Sequence, residues 1–84
     1  MKAVTVVESG VQIVDVDTPS PKDSEVLVRV RACGLNRADL VVADGGAHGA
    51  AGGPGTIVGM EFSGEIVECG KNVKTLSIGD RVMC

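Results

Sequence analysis

The 84-residue sequence has no tryptophan, no tyrosine and a single phenylalanine, Phe62. Aromatic faces on which unpaired bases or sugars stack are therefore missing, as is much of the material from which protein-binding hot spots are built. Long apolar runs are missing too. The N-terminus reads Met-Lys and then a short apolar stretch before Glu8, too little for the core of a secretory leader and far less than a membrane span. There is no basic excess: eight Lys and Arg stand against eleven Asp and Glu, for a formal charge of −3. The basic residues Lys2, Lys22, Arg29, Arg31, Arg37, Lys71, Lys74 and Arg81 are scattered along the chain. That scatter predicts no continuous basic surface and excludes nucleic acid as the expected partner. The three cysteines, Cys33, Cys69 and Cys84, are odd in number and form no C-x-x-C pair. A disulfide framework and a structural zinc knuckle are both disfavoured, and a reducing cytoplasm is the expected compartment.

What is present is a globular balance, 44% hydrophobic and 23% charged, in a chain sized for one small domain or a piece of a larger one. Lys2 to Val7 and Val11 to Val16 are β-branched and apolar, and Ser9-Gly10 between them predicts a hairpin. Thr18 to Asp23 contains Pro19 and Pro21, which cannot donate to a ladder, and reads as a connection. From Glu25 the alternation of Val26, Val28 and Val30 with Leu27, Arg29 and Arg31 predicts a strand with valines on one face and arginines on the other. At its end, Gly34 invites a bulge or a close backbone approach.

Asn36 then opens a predicted helix, Arg37 to Ala43, with Asn36 as N-cap and Asp39 near the positive end of the helix dipole. Gly45 to Gly55 is dominated by glycine and alanine and is expected to be a flexible loop. His48 lies in it without metal-ligand spacing to other donors and reads as an exposed bystander. Met60 to Glu68 is strand-like, Gly70-Lys71-Asn72 a turn, Val73 to Ile78 a short mixed stretch, and Gly79-Asp80 a turn into a last strand at Arg81. Many short strands separated by turn signals predict a mainly β fold, a small barrel.

Three pieces combine into a recognisable order: Arg31-Ala32-Cys33-Gly34-Leu35-Asn36-Arg37-Ala38-Asp39-Leu40, then Gly59-Met60-Glu61-Phe62-Ser63-Gly64-Glu65-Ile66-Val67, then Gly70 followed by Gly79-Asp80-Arg81-Val82. The set resembles the start of the catalytic domain of the medium-chain dehydrogenases/reductases, and the resemblance covers nearly the whole chain. It implies an incomplete GroES-like irregular β-barrel over residues 1–84. It also implies a Rossmann dinucleotide-binding domain lying outside this chain, which contains no G-x-G-x-x-G between strand and helix.

Within that family the zinc-dependent alcohol dehydrogenases carry C-G-x-C-H-x-D and a later G-H-E. Here Asn36 and Met60 occupy the positions of the zinc-binding Cys and His, and Ala38 that of the proton-relaying hydroxyl. An amide and a thioether do not replace a thiolate and an imidazole as zinc ligands. The zinc-independent quinone oxidoreductase branch shows the same replacements, so the resemblance implies hydride transfer from NADPH to a quinone or enone with no metal.

On the same resemblance Asn36 orients the acceptor or the nicotinamide, Arg37 approaches the cofactor phosphate, and Val41 and Met60 line the substrate side. Asn36 is equally a plain helix cap worth about 1 kcal/mol, and its two-headed amide is compatible with both roles. Asp39 and Glu61 read as structural hydrogen-bonding groups and Arg37 also as a solvated surface charge. A homodimeric, cytoplasmic full-length parent fits the resemblance, and the stretch alone is expected to be inactive. The alternative from another class is a stand-alone GroES-like interaction module, with the glycine loop as its recognition segment. A biotinyl or lipoyl carrier ranks below both, for want of a modifiable lysine at a hairpin tip.

Overall fold

The computed structural model describes residues 1–48 and 51–84. Its backbone is mainly β with one short helix, and it divides into two compact units: Met1–Asp17 with Leu35–Met60, and Thr18–Gly34 with Glu61–Cys84.

In the first unit β1 (Lys2–Val7) and β2 (Gly10–Asp15) form the expected hairpin, in register from Lys2↔Asp15 to Val7↔Gly10. The turn falls on Glu8-Ser9, one residue earlier than the sequence suggests, because Gly10, at φ 134, is already paired with Val7. The outer edge of β1 is occupied as well. Val6 N–H donates to the Thr56 carbonyl at 2.9 Å and Val58 N–H to the Val4 carbonyl at 2.8 Å, laying the segment around Ile57 along the strand. Ala3, Thr5, Val6 and Val42 are buried here, Val6 to 2% exposure. Burial of one such valine is worth roughly 1.5–3 kcal/mol.

Helix α1 (Arg37–Ala43) coincides with the predicted span and packs against β1. Its C-terminus closes in a Schellman arrangement. Gly46 N–H donates to the Val41 carbonyl at 2.9 Å and Gly45 N–H to the Val42 carbonyl at 3.0 Å, with Gly45 at φ 89. Two short segments of the glycine stretch after it form a ladder that the sequence reading did not foresee. β4 (Ala47–His48) and β5 (Ala51–Gly52) pair antiparallel, a ladder that small residues allow because it is made by backbone groups alone. Gly49 and Ala50 and the His48 side chain lie outside what the structure describes, so the bystander reading of His48 is not addressed.

In the second unit β3 (Val26–Cys33), β6 (Phe62–Cys69) and β7 (Arg81–Met83) form an antiparallel sheet in the order β3-β6-β7. Ile66, at 1% exposure, is its centre. The β3-β6 ladder does carry irregularities, one between Leu27 and Val28 where β6 has the extra residue Val67 and one between Val30 and Ala32 where β3 has the extra residue Arg31, and none at Gly34. Strand β6 starts two residues later than Met60. The stretch 73–78 forms no strand; it leads into a turn in which the Asp80 carboxylate accepts the Ser77 N–H at 2.9 Å. The ladder resumes from there, with Gly79 N–H donating to the Ile66 carbonyl at 2.8 Å and Ile66 N–H to the Asp80 carbonyl at 2.9 Å. The expected incomplete barrel is thus present as separate small sheets, and no ladder closes among the described residues.

Candidate functional site

The site predicted from sequence is centred on the N-terminus of α1, and the local chain is built to hold it. Asn36 is extended, φ −125 and ψ 152, so that its carbonyl accepts the Asp39 N–H at 3.0 Å while the helix begins behind it. Asp39 reaches back, and its carboxylate accepts the Asn36 N–H at 3.0 Å. The Asn36 side chain meets the Asp39 backbone in return, so both halves of a capping box are in place. Asp39 is therefore structural, as its position in the first turn suggested, and Asn36 is at least a cap. The cap fixes the backbone of a half-buried asparagine at the start of the helix.

Arg37 is exposed on the first turn. Val41 follows it by one turn on the same face, 45% exposed, and Leu40 beside it is 67% exposed. The structure thus gathers Asn36, Arg37 and Val41 on one short helix and gives that helix an apolar outer face. Met60, also 45% exposed, stands at the end of the segment annealed to β1. An amide, a guanidinium and two exposed apolar side chains can donate hydrogen bonds to a carbonyl oxygen, meet an anion and cover an apolar ligand. Among the described residues no three His, Cys, Asp or Glu side chains gather closely enough to hold a metal ion.

Glu61, in the second unit, lies against Gly34: a Cβ built on Gly34 would stand 2.5 Å from the Glu61 carboxyl carbon. The Gly34 N–H also donates to the Glu61 carbonyl at 3.2 Å. This is the close approach that Gly34 was expected to permit.

A charged constellation escaped the sequence reading. The register Arg29↔Glu65↔Arg81 runs across β3, β6 and β7, placing all three on one face. Arg31, released by the adjoining bulge, joins them: its Nε donates to Glu65 Oε1 at 3.1 Å and its Nη2 donates to the same oxygen. The Glu65 carboxyl is held below the usual glutamate range, chiefly by the Arg31 hydrogen bond, then by the Arg31 charge, with Arg29 adding to it and burial opposing. Arg29, Arg31 and Arg81, scattered along the sequence, are brought together here around Glu65. Arg29 and Arg31 were visible as an alternation, but their meeting with Glu65 and Arg81 depends on strand register, which no local pattern encodes.

A mainly β chain of small antiparallel sheets, with a capped short helix following the strand that ends at Cys33, defines the GroES-like fold of the medium-chain dehydrogenases/reductases. Residues 22–84 match the family model described as the alcohol dehydrogenase GroES-like domain, and the chain belongs to that family. It is 45% identical over 65 residues, 77% of its length, to the human synaptic vesicle membrane protein VAT-1 homolog-like, of which it spans 15%. The solved structure of a human VAT-1 homolog-like protein superposes with a TM-score of 0.86 at 38% identity, covering 99% of this chain and 28% of that one. The quinone oxidoreductase from Coxiella burnetii superposes with a TM-score of 0.83 at 29% identity, covering 99% and 28%. An alcohol dehydrogenase from Geobacillus stearothermophilus is 39% identical over 84 residues, 98% of this chain and 24% of that protein. The chain therefore spans about a quarter or less of the curated relatives it matches.

Proposed function

We propose that this chain is the N-terminal part of the substrate-side domain of a zinc-independent, NADPH-dependent quinone or enone oxidoreductase. What carries the reading is the donor set: on the motif resemblance Asn36 and Met60 fall where zinc-type relatives place a thiolate and an imidazole, and Asn36 is built into a helix cap. The likeness to a quinone oxidoreductase supports it.

The nicotinamide cofactor, held mainly by the Rossmann domain of the full-length parent, supplies the hydride when bound. The residues of this chain do the rest by position. The Asn36 amide donates a hydrogen bond to the acceptor carbonyl oxygen and so stabilises the negative charge that develops there. Its fixed backbone means that little reorganisation is needed at that moment. Arg37, exposed on the first turn of α1, attracts cofactor phosphate, while Val41 and Met60 cover the acceptor and limit water around it. The parent is read as a cytoplasmic homodimer. Cys33, Cys69 and Cys84, none of them in a disulfide, accord with a reducing compartment.

The full-length protein tests this. NADPH oxidation should require an added quinone such as menadione, or an enone, and should persist in the presence of a chelator, with metal analysis returning substoichiometric zinc. Stoichiometric zinc together with alcohol-dependent reduction of a nicotinamide cofactor would overturn the proposal. Residues 1–84 alone should show no NADPH turnover, because the groups that hold the pyrophosphate and ribose are not among them.

A further inference from the structure

Helix α1 closes through the Gly46 N–H to Val41 carbonyl bond, and in such closures the side chain at the Gly46 position commonly packs on the one at the Val41 position. Gly46 has no side chain to pack, and a Val41 γ-methyl takes the place instead. A Cβ built on Gly46 would stand 2.9 Å from Val41 Cγ1 and 2.9 Å from the Val41 carbonyl oxygen, closer than such atoms approach. The position of Val41 therefore depends on the absence of a side chain at residue 46. Given the reading of Val41 as a residue that lines the acceptor, we infer that Gly46 is a positioning residue for Val41: it lets the valine lie back over the turn and so sets how bulky an acceptor ring fits against α1.

A valine in a helix has one strongly preferred χ1 rotamer. A methyl added at residue 46 is relieved only by turning Val41 off that rotamer or by easing the turn that Gly46 closes. Either course takes the γ-methyl out of its place over Gly46 and onto the outer face of α1, where Val41 is 45% exposed and Leu40, the residue before it, 67%. Acceptor room is lost there. In an apolar pocket one methylene more or less changes kcat/KM by roughly tenfold or more, enough to separate an acceptor of two fused rings from one of a single ring.

Gly46 differs from its neighbours in the same stretch. Gly45, Gly53 and Gly55 have positive φ, which the turns require, and a Cβ built on any of them meets nothing within 4 Å. Gly46 is not among the residues of positive φ, so its backbone accepts alanine and the contact with Val41 is what the substitution probes.

The test uses the full-length protein with NADPH and takes the ratio of kcat/KM for menadione, which has two fused rings, to that for 2-methyl-1,4-benzoquinone, which has one. Gly46→Ala should lower the ratio roughly fivefold or more. Gly46→Ala/Val41→Ala, which removes the displaced γ-methyls, should return it to within about twofold of wild type. Should Gly46→Ala fail to fold, the double variant should fold, and Val41→Phe, which enlarges the side chain without touching residue 46, should carry the fall in the ratio; failure of either overturns the proposal. A role of Gly46 in stability alone would slow both quinones alike, and an unchanged ratio in a folded Gly46→Ala overturns the proposal, as does a lowered ratio that Val41→Ala does not restore. The two readings fail separately. A ratio insensitive to Val41→Phe withdraws Val41 from the acceptor site and the proposal with it, whereas a fall in Val41→Phe alone keeps Val41 there and sinks only the role of Gly46.

Discussion

Gly64 lies flat against the Arg29 carbonyl, so that a Cβ built on it would stand 2.2 Å from that oxygen. Gly64 is paired with Val30 on one side and Val82 on the other and is buried at the middle of β6. The obstacle is backbone that belongs to a ladder on both sides, which cannot yield without breaking hydrogen bonds. Gly64→Ala is therefore expected to cost about 2–3 kcal/mol, at the upper end of overpacking penalties. Gly34→Ala gives the contrast. Its new methyl would meet the carboxylate of Glu61, the far end of a flexible and exposed side chain and not ladder backbone. It should cost less than about 1 kcal/mol. Chemical denaturation of both variants settles the order, and a Gly34→Ala as damaging as Gly64→Ala would contradict it.

The contrast between these glycines shows what the sequence could reveal. Local signals placed the β1-β2 hairpin to within one residue of its turn and α1 with its Asn36 cap and Gly45-Gly46 stop, since each depends on residues near one another in the chain, whereas Gly34 signalled a close approach without naming its partner Glu61, which lies far along the sequence. The β4-β5 ladder was hidden because alanine and glycine carry no strand propensity, although their backbones pair well enough. The bulges of the β3-β6 ladder were hidden because a bulge depends on both strands of a pair. The bulge beside Arg31 in turn creates the Arg31–Glu65 contact, so that constellation was not legible either. Of the candidate site, the placement of Asn36, Arg37 and Val41 on one helix was readable from the period of the helix, whereas their chemistry rests on family likeness.

The capping box makes a prediction of its own. Asp39→Ala removes the carboxylate that accepts the Asn36 N–H and the negative charge in the first turn of α1. A loss of about 1 kcal/mol in stability is expected. Asp39→Asn keeps an acceptor oxygen in the same place and should lose only the part due to charge, a few tenths of a kcal/mol. Equal losses in the two variants, measured by thermal unfolding, would show that charge and not the hydrogen bond does the stabilising.

The Arg31–Glu65 pair predicts a pH dependence. Because the folded carboxyl titrates below its unfolded value, its contribution is fully present above the ordinary glutamate range and is lost as pH falls through the lower folded value. Arg31→Gln removes the leading cause, so the Glu65 titration should move back up toward that ordinary range. Carboxyl carbon shifts followed by NMR across acid pH would show it. The effect on stability at neutral pH should be slight, since the pair is exposed to solvent and screened by salt. A Glu65 titration unchanged by Arg31→Gln would mean that the guanidinium contact does not persist in solution.

The two roles of Asn36 separate under Asn36→Ser in the full-length parent. A serine at this position keeps the extended backbone and presents a hydroxyl that accepts the same first-turn amide, so the cap survives and the melting temperature should hold. What serine lacks is reach and a second head. Its side chain ends closer to the backbone than the Asn36 amide, and it cannot keep one group on the Asp39 backbone while offering an N–H to an acceptor oxygen. If Asn36 also orients the acceptor or the nicotinamide, kcat/KM with quinone should fall roughly tenfold or more at unchanged stability, because losing a site hydrogen bond costs about 1–3 kcal/mol. That is the expected outcome. Asn36→Ala is less informative, since it removes cap and contact together and lets a stability loss stand in for a catalytic one. Full activity of Asn36→Ser at unchanged melting temperature would leave Asn36 as a helix cap and nothing more, and would withdraw the only polar group that this chain contributes to stabilising charge on the acceptor in the proposed mechanism.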